Sequence, residues 1–556
     1  MNKIPLTRAL VAGLALSSAA RAQQHDAMRQ QTPAPPQRAT LVAGMGRHHH
    51  AVSTRSAEAQ RFFDQGLTYV FAFNHDEAVR SFRRAAELDP TLAMAYWGVA
   101  YALGPNINLD VDPERERAAF DAVRQARKLA ADATPKERDY VEALAQRYTD
   151  NAQAAPDDLR RLAVSFSGAM GALAHKYPND LDAATLYAES MMDLRPWKLW
   201  TPEGKPAEGT EEILATLESV LKRDPNHIGA IHYYIHAVEA SPHPERALPY
   251  VARLPAQVPA AGHLVHMPAH IYMRVGDYHG AATTNVAAAR ADENYIKAAG
   301  ARGLYPLMYY SHNLHFEAIA YAMDGNLARA LDAAHKLEAN VAPALKEMPM
   351  LEGFMPTAPL VLVRFHRWGD VLKLPQPADS MPVTRAVYHF ARAMALASTG
   401  KLDDAARERQ LFDATVKTLP PDTPYGSLNT AAGVLGVAAR TLEARVSEAR
   451  GDLEAAAASL RLAAQAEDLL NYDEPPPWFL PARESLGGVL LRAHKAREAE
   501  QAFRDDLRRN PHNGRSLFGL RESLKAQGKP REARRINLEY LRAWQHADAR
   551  LSVATL

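Results

Sequence analysis

The sequence predicts an all-α protein made of repeated helix-turn-helix units. Alanine is abundant, and glycine and proline sit mostly between helical stretches, which is a helix-forming composition. A second observation is a spacing of small and aromatic residues, Phe62-x2-Gln65-Gly66-x2-Tyr69-x8-Ala78-x3-Phe82-x2-Ala85-x4-Pro90. The third is its return far along the chain as Arg483-x2-Leu486-Gly487-x2-Leu490-x8-Ala499-x3-Phe503-x7-Pro511. Gly66 and Ala78 are small where two helices cross closely, Tyr69 and Phe82 fill the space between them, and Pro90 cannot continue a helix.

Residues 1–22 read as a secretory signal peptide: a basic start at Lys3 and Arg8, a short apolar run Ala9–Ala20, and an Ala20-Arg21-Ala22 cleavage site. The expected product is periplasmic or secreted. No later stretch is long and apolar enough to span a bilayer, so no membrane anchor is expected. Residues 23–56 are polar and proline-bearing and read as a flexible linker, closed by a solvated turn at His48, His49 and His50. The 556 residues contain no cysteine, which excludes disulfides, iron–sulfur clusters and thiolate metal sites. The formal charge is +1, with acidic and basic residues interleaved and no basic stripe, so nucleic acid is not an expected partner.

The array divides into residues 57–345, a proline- and methionine-rich connector 346–382, and residues 383–548. Weaker units turn at Asp277-Tyr278, Gly325-Asn326, Gly400-Lys401 and Gly451-Asp452, and a degenerate one ends at Gly528-x4-Ala533. Two other stretches interrupt the pattern: Arg195–Lys205, with two tryptophans and two prolines, and the proline-rich Asn471–Pro481. Such insertions are either binding loops or tolerated variation. The two full frames resemble the tetratricopeptide repeat, a helix-turn-helix unit of about 34 residues. The departure in the first frame is Gln65, where leucine is usual. The chain as a whole resembles exported bacterial tetratricopeptide-repeat proteins of unassigned activity. That resemblance implies a right-handed superhelical array with an inner concave face.

Seven histidines recur at matched places in the middle units. Counted back from Ala247, Ala281 and Ala330, which align with Ala78, His232, His266 and His315 lie 15 residues before, His236 and His270 lie 11 before, and His263 and His312 lie 18 before. Residues three, four and seven apart share a helix face, so His263, His266 and His270 should line one face. The family resemblance implies that this face looks into the concave groove. The first repeat carries Phe63, Leu67 and Gln60 at these offsets, and the late repeat carries Glu484, Gly488 and Pro481, so the fold does not demand histidine there. Glu239 follows His236 on the same face, and Glu189 and Asp193 are four apart on what should be the preceding inner helix.

Histidine with carboxylate and no sulfur suits zinc, iron, copper or manganese. The primary expectation is a concave groove, His232 to His315, that binds a peptide, a partner protein or a small ligand together with a transition metal. A metal-dependent hydrolase or oxidoreductase with Glu239 or Glu189 as general base is the alternative. A metal-free interaction scaffold is the third. An H-E-x-x-H zinc motif, a phosphate-binding glycine loop and a G-x-S-x-G elbow are all missing.

Overall fold

In a computed structural model of the protein, residues 38–151, 154–426 and 428–556 are described, and they are almost entirely helical. The segment assigned to the signal peptide lies outside them. Among the described residues the sole sheet is the two-stranded pair β1 Pro424–Tyr425 and β2 Asn429–Thr430. The described residues pack into two compact units, one of residues 38–271 with 287–301, the other of 272–286 with 302–556.

The helices of the first unit are α1 Ala57–Phe71, α2 His75–Leu88, α3 Ala93–Leu103, α4 Pro113–Leu129, α5 Pro135–Ala145, α6 Pro156–Lys176, α7 Leu181–Met192, α8 Thr210–Arg223, α9 Ile228–Glu239, α10 Leu248–Val251, α11 Arg253–Gln257 and α12 Gly262–His266. Three of the early ones start at a residue whose side chain caps them. Ser56 accepts from Ala59 N at 3.1 Å, Asp112 accepts from Glu114 N and Arg115 N with Pro113 behind it, and Thr134 and Glu137 close a capping box. Neighbours in sequence pack as neighbours in space. The α1–α2–α3 contact is built on Phe82: a Cβ on Gly66 would lie 2.7 Å from its ring, and one on Gly98 closer still. Ala78, Ala247, Ala281 and Ala330, the small residues that align the units, are all fully buried.

Helices α13 Pro268–Val275 and α14 Tyr278–Ala299 each contribute residues to both units. The second unit continues with α15 Tyr310–Asp324, α16 Leu327–Val341, α17 Thr357–Arg364, α18 Trp368–Val371, α19 Pro382–Ser398, α20 Leu402–Thr418, α21 Ala431–Ala449, α22 Leu453–Asp468, α23 Ala482–Arg492, α24 Ala496–Arg509, α25 Gly514–Ala526 and α26 Pro530–Ala543. The late frame repeats the device of the early one. The Phe503 ring sits where a Cβ on Gly487 would lie 2.5 Å away, and it presses on Gly519 from the other side.

Residues 38–56 form an extended strap on the first unit. Gln65 explains its own departure from the repeat pattern: its Oε1 accepts from Val42 N at 2.7 Å, and its Nε2 donates to Thr40 O at 2.9 Å and to Ser81 Oγ at 3.1 Å. Leucine could hold none of these. Further along, Ser53 N donates to Glu137 Oε1 at 2.6 Å.

Candidate functional site: a buried histidine cluster

Helix α9 carries His232, His236 and Glu239, and α12 with α13 carries His263, His266 and His270. The spacing predicted one continuous helix for the latter three. The structure breaks it at Met267, because Pro268 has no N–H to give to the preceding turn. The rings stay together nonetheless, with centroids 5.7 Å apart for His263–His266 and 4.7 Å for His266–His270. Nitrogens of His232, His236 and His263 lie within 4.8 Å of one another.

The rings expected to line a concave groove are buried. His232 and His266 are wholly inaccessible, and His236, His263 and His270 are nearly so. His312 and His315 belong to the second unit, on α15, where His312 meets Phe316 edge-on and His315 meets Phe354 edge-on. Burial pulls His315 down to about 4.

Hydrogen-bond chemistry decides which nitrogens can act. A carbonyl or carboxylate oxygen only accepts, so an imidazole nitrogen facing one must carry the proton. His232 Nδ1–H donates to Phe71 O at 2.6 Å, His236 Nδ1–H to Glu239 Oε1 at 2.7 Å, and His270 Nδ1–H to Glu239 Oε2 at 2.6 Å. A neutral ring that gives its Nδ1 proton away in this manner keeps its lone pair on Nε2. On His232 and His236 that Nε2 is buried and has no hydrogen-bond partner. Burial, and next to it the His236 ring, holds His232 well below the usual imidazole range, and burial lowers His236 too, so both rings are neutral at pH 7. His266 Nε2 and His270 Nε2 are 2.8 Å apart and can share a proton or a metal ion.

Glu239 orients two of the rings. Burial favours its neutral form, but His270 and His236 outweigh that and hold it well below the usual carboxylate range. Both its oxygens accept imidazole protons, an arrangement that fixes tautomer and ring direction around metal ions. Glu189 is also buried; it accepts from Tyr101 OH at 2.6 Å, and burial raises its pKa against the pull of Arg147. Asp193 pairs with Arg147 at 2.9 Å, and burial followed by the neighbouring Glu189 raises it.

The Arg195–Lys205 loop covers the cluster. Trp197 meets the His236 ring edge-on at 5.5 Å, and Trp200 Nε1 donates to Ala237 O at 2.8 Å. A small pocket between the loop and α9 is bounded by Met192, Trp197, Leu199, Trp200, His236 and Glu239.

A second constellation was missed. The solvated turn expected at His48–His50 is instead pinned to a buried carboxylate: Asp182 Oδ1 accepts from His48 Nε2 at 2.9 Å and His227 Nε2 at 3.1 Å, and Oδ2 accepts from His50 Nδ1 at 2.7 Å. The run His48-His49-His50 was its sequence signal; nothing local marked Asp182. His50 keeps its lone pair on a buried Nε2 without a hydrogen-bond partner, as His236 does, whereas His48 and His227 face Asp182 through Nε2. His227 Nδ1 accepts from Ala230 N at 3.1 Å, capping α9, so its proton is on Nε2 and is given to Asp182. A ring with its proton on Nε2 cannot ligate through that atom. Burial lowers the pKa of His48, but Asp182 outweighs it and the net shift is upward. Asp182 is driven well down by the three histidines against the effect of burial. The arrangement is a buckle between the strap, α7 and α9.

The tetratricopeptide repeat family matches residues 59–92. That is the first of the two frames, and the chain contains at least this one repeat of the family. No curated protein matches. Among solved structures, the human IFIT1 dimer with m7Gppp-AAAA is 14% identical, with 81% of this chain and 90% of that chain covered and a TM-score of 0.31. The Cut9–Hcn1 hetero-tetramer of APC/C is 12% identical, covering 88% and 74%, at 0.29. Naa15/Naa10 bound to HypK-THB is 14% identical, covering 88% and 84%, at 0.25. At these values the likenesses carry no argument about ligand or mechanism.

Proposed function

We propose that this chain is an exported helical-repeat protein that binds a transition metal through buried imidazoles of its first unit. The observation that carries it is the pair His232 and His236, each with Nδ1 committed as a donor and a buried Nε2 without a partner. Leaving such a nitrogen unsatisfied costs about 1–3 kcal/mol, and a bound cation removes that cost. His263 completes a set of three, and bonds of about 2.0–2.2 Å require the rings to close on one point by small side-chain rotations. His270, held by the same carboxylate as His236, and its neighbour His266 extend the set. Nitrogen ligands without sulfur suit zinc or copper(II), then iron and manganese.

The burial of these five rings favours an ion or a very small ligand over a peptide at this place. The pocket beside His236 supports a second reading, a metal-dependent hydrolase or oxidoreductase with small substrates admitted under Trp197. Glu239 would orient ligands in that case and could not serve as general base.

Elemental analysis of protein purified without a histidine tag tests the proposal, with His232→Ala/His236→Ala as the control. Stoichiometric metal in the wild type, lost in a variant with unchanged helix content, is the expected result. A wild type with no stoichiometric metal after reconstitution with zinc and with copper(II) refutes it. Cell fractionation and N-terminal sequencing test the exported location; uncleaved protein in the cytosol would contradict it.

A further inference from the structure

Phe73 stands where the repeat elsewhere uses glycine. It lies five places before Ala78, and the same offset before Ala281, Ala330, Ala405, Ala456 and Ala533 carries Gly276, Gly325, Gly400, Gly451 and Gly528. The turn is built alike each time. The residue after it donates its N–H to a carbonyl five places back: Asn74 to Tyr69 at 3.0 Å, Asp277 to Tyr272 at 2.8 Å, Asn326 to Tyr321 at 2.9 Å. The five glycines have left-handed backbone with φ between 70° and 84°, and Phe73 has φ 53°. Glycine enters that region without a Cβ clash, and phenylalanine does not. A bulky side chain kept at such a place has work to do beyond the turn.

The Phe73 ring is buried and meets all three imidazoles whose nitrogens lie together, His232, His236 and His263. Its centroid is 4.5 Å from that of His232, 5.9 Å from His236 and 5.6 Å from His263, and its plane is within 16° and 25° of the last two. Trp197 repeats the pattern. Among the described residues five non-glycines have left-handed backbone; three are histidines and the other two are Phe73 and Trp197. Trp197, with φ 61°, meets the His236 ring edge-on at 5.5 Å. Both side chains that the backbone disfavours therefore end on a histidine of the cluster. A phenyl ring offers no lone pair and keeps water away from the groups it covers, and an apolar wall of this kind sets solvent access at a metal site.

We propose that Phe73 determines metal specificity: it denies the bound ion the water molecules of a six-fold shell, so the imidazole set takes ions content with three or four ligands, zinc and copper, and discriminates against nickel and manganese. This rests on the metal-binding reading above and adds to it the reason one class of ion is selected. The preference is a property of Phe73 and not of the nitrogens, which would accept any of these ions.

The test compares the intact protein with Phe73→Gly, which suits the turn, Phe73→Asn, which also tolerates left-handed backbone, and Phe73→Leu, which keeps an apolar side chain. Competition of zinc against nickel(II) reads specificity, and the visible spectrum of the cobalt(II)-loaded protein reads coordination number. The intact protein should show the intense bands of four-coordinate cobalt(II). Phe73→Gly should show the weak bands of six-coordinate cobalt(II), and its preference for zinc over nickel should fall by about tenfold or more. Phe73→Leu should keep both properties of the intact protein. A folded Phe73→Gly with unchanged spectrum and preference overturns the proposal and leaves metal binding standing, as does six-coordinate cobalt(II) in the intact protein. An intact protein that takes up neither zinc nor cobalt(II) removes the metal-binding reading and this proposal together. If Phe73→Gly and Phe73→Asn both lose helix content, Phe73 is a packing residue and the proposal fails.

Discussion

Replacement of Glu239 by glutamine tests the logic of the histidine cluster with a change of one atom. The carboxylate accepts from two imidazoles, His236 at 2.7 Å and His270 at 2.6 Å. A glutamine offers one accepting oxygen and one donating nitrogen in the same place. One of the two rings then faces a donor and must move its proton to Nε2, which removes that ring as a ligand. The other ring loses a charge-assisted bond and keeps a neutral one. Loss of an outer-shell partner alone lowers metal affinity about 10- to 100-fold, about 1.4–2.7 kcal/mol, and a lost ligand adds to this. The assay is competition for zinc or copper(II) against a chelator of known affinity, with circular dichroism as the folding control. An affinity unchanged within a factor of about three, in a folded variant, would show that Glu239 does not set the tautomers and would refute the reasoning.

Gln65→Leu restores the usual repeat residue but removes three hydrogen bonds to the strap and α2. Limited proteolysis should cut residues 38–56 faster while helix content stays the same. Gly66→Val drives a branched side chain into the Phe82 ring, so a loss of about 1–3 kcal/mol in denaturant unfolding is expected, and no loss would contradict the close crossing. The Asp182 buckle should depend on pH from both sides. His48 is raised, so its contribution is complete below about 6.5 and is lost as pH rises through its higher folded value. Asp182 is depressed, so its contribution is complete above about 3.9 and is lost as pH falls through its lower folded value. Hydrogen exchange of Met45–Ser53 should accordingly be slowest in mildly acidic solution. Exchange that does not vary with pH, once intrinsic rates are removed, would contradict the buckle.

Much of the fold was legible because its causes are local. The close approach of Gly66 to Phe82 and of Gly487 to Phe503 depends on residues a few turns apart and on a spacing repeated intact. The matched histidine offsets were legible for the same reason, since a helix face is a matter of period. The chemistry of those histidines was not. Phe71, whose carbonyl places the proton on His232, is 161 residues from it, and Asp182 is more than 130 residues from the strap it fastens. Periodicity could say that His263, His266 and His270 share a side, but not that Pro268 breaks their helix or that packing hides them from solvent. The sequence by itself determined the elements, their pairing and the residue types available to a site. Only the tertiary structure decided which nitrogens keep a lone pair and which histidines are spent on a carboxylate. Those outcomes depend on partners brought together from distant parts of the chain, and hydrogen-bond donors and acceptors acquire their roles only when such partners meet.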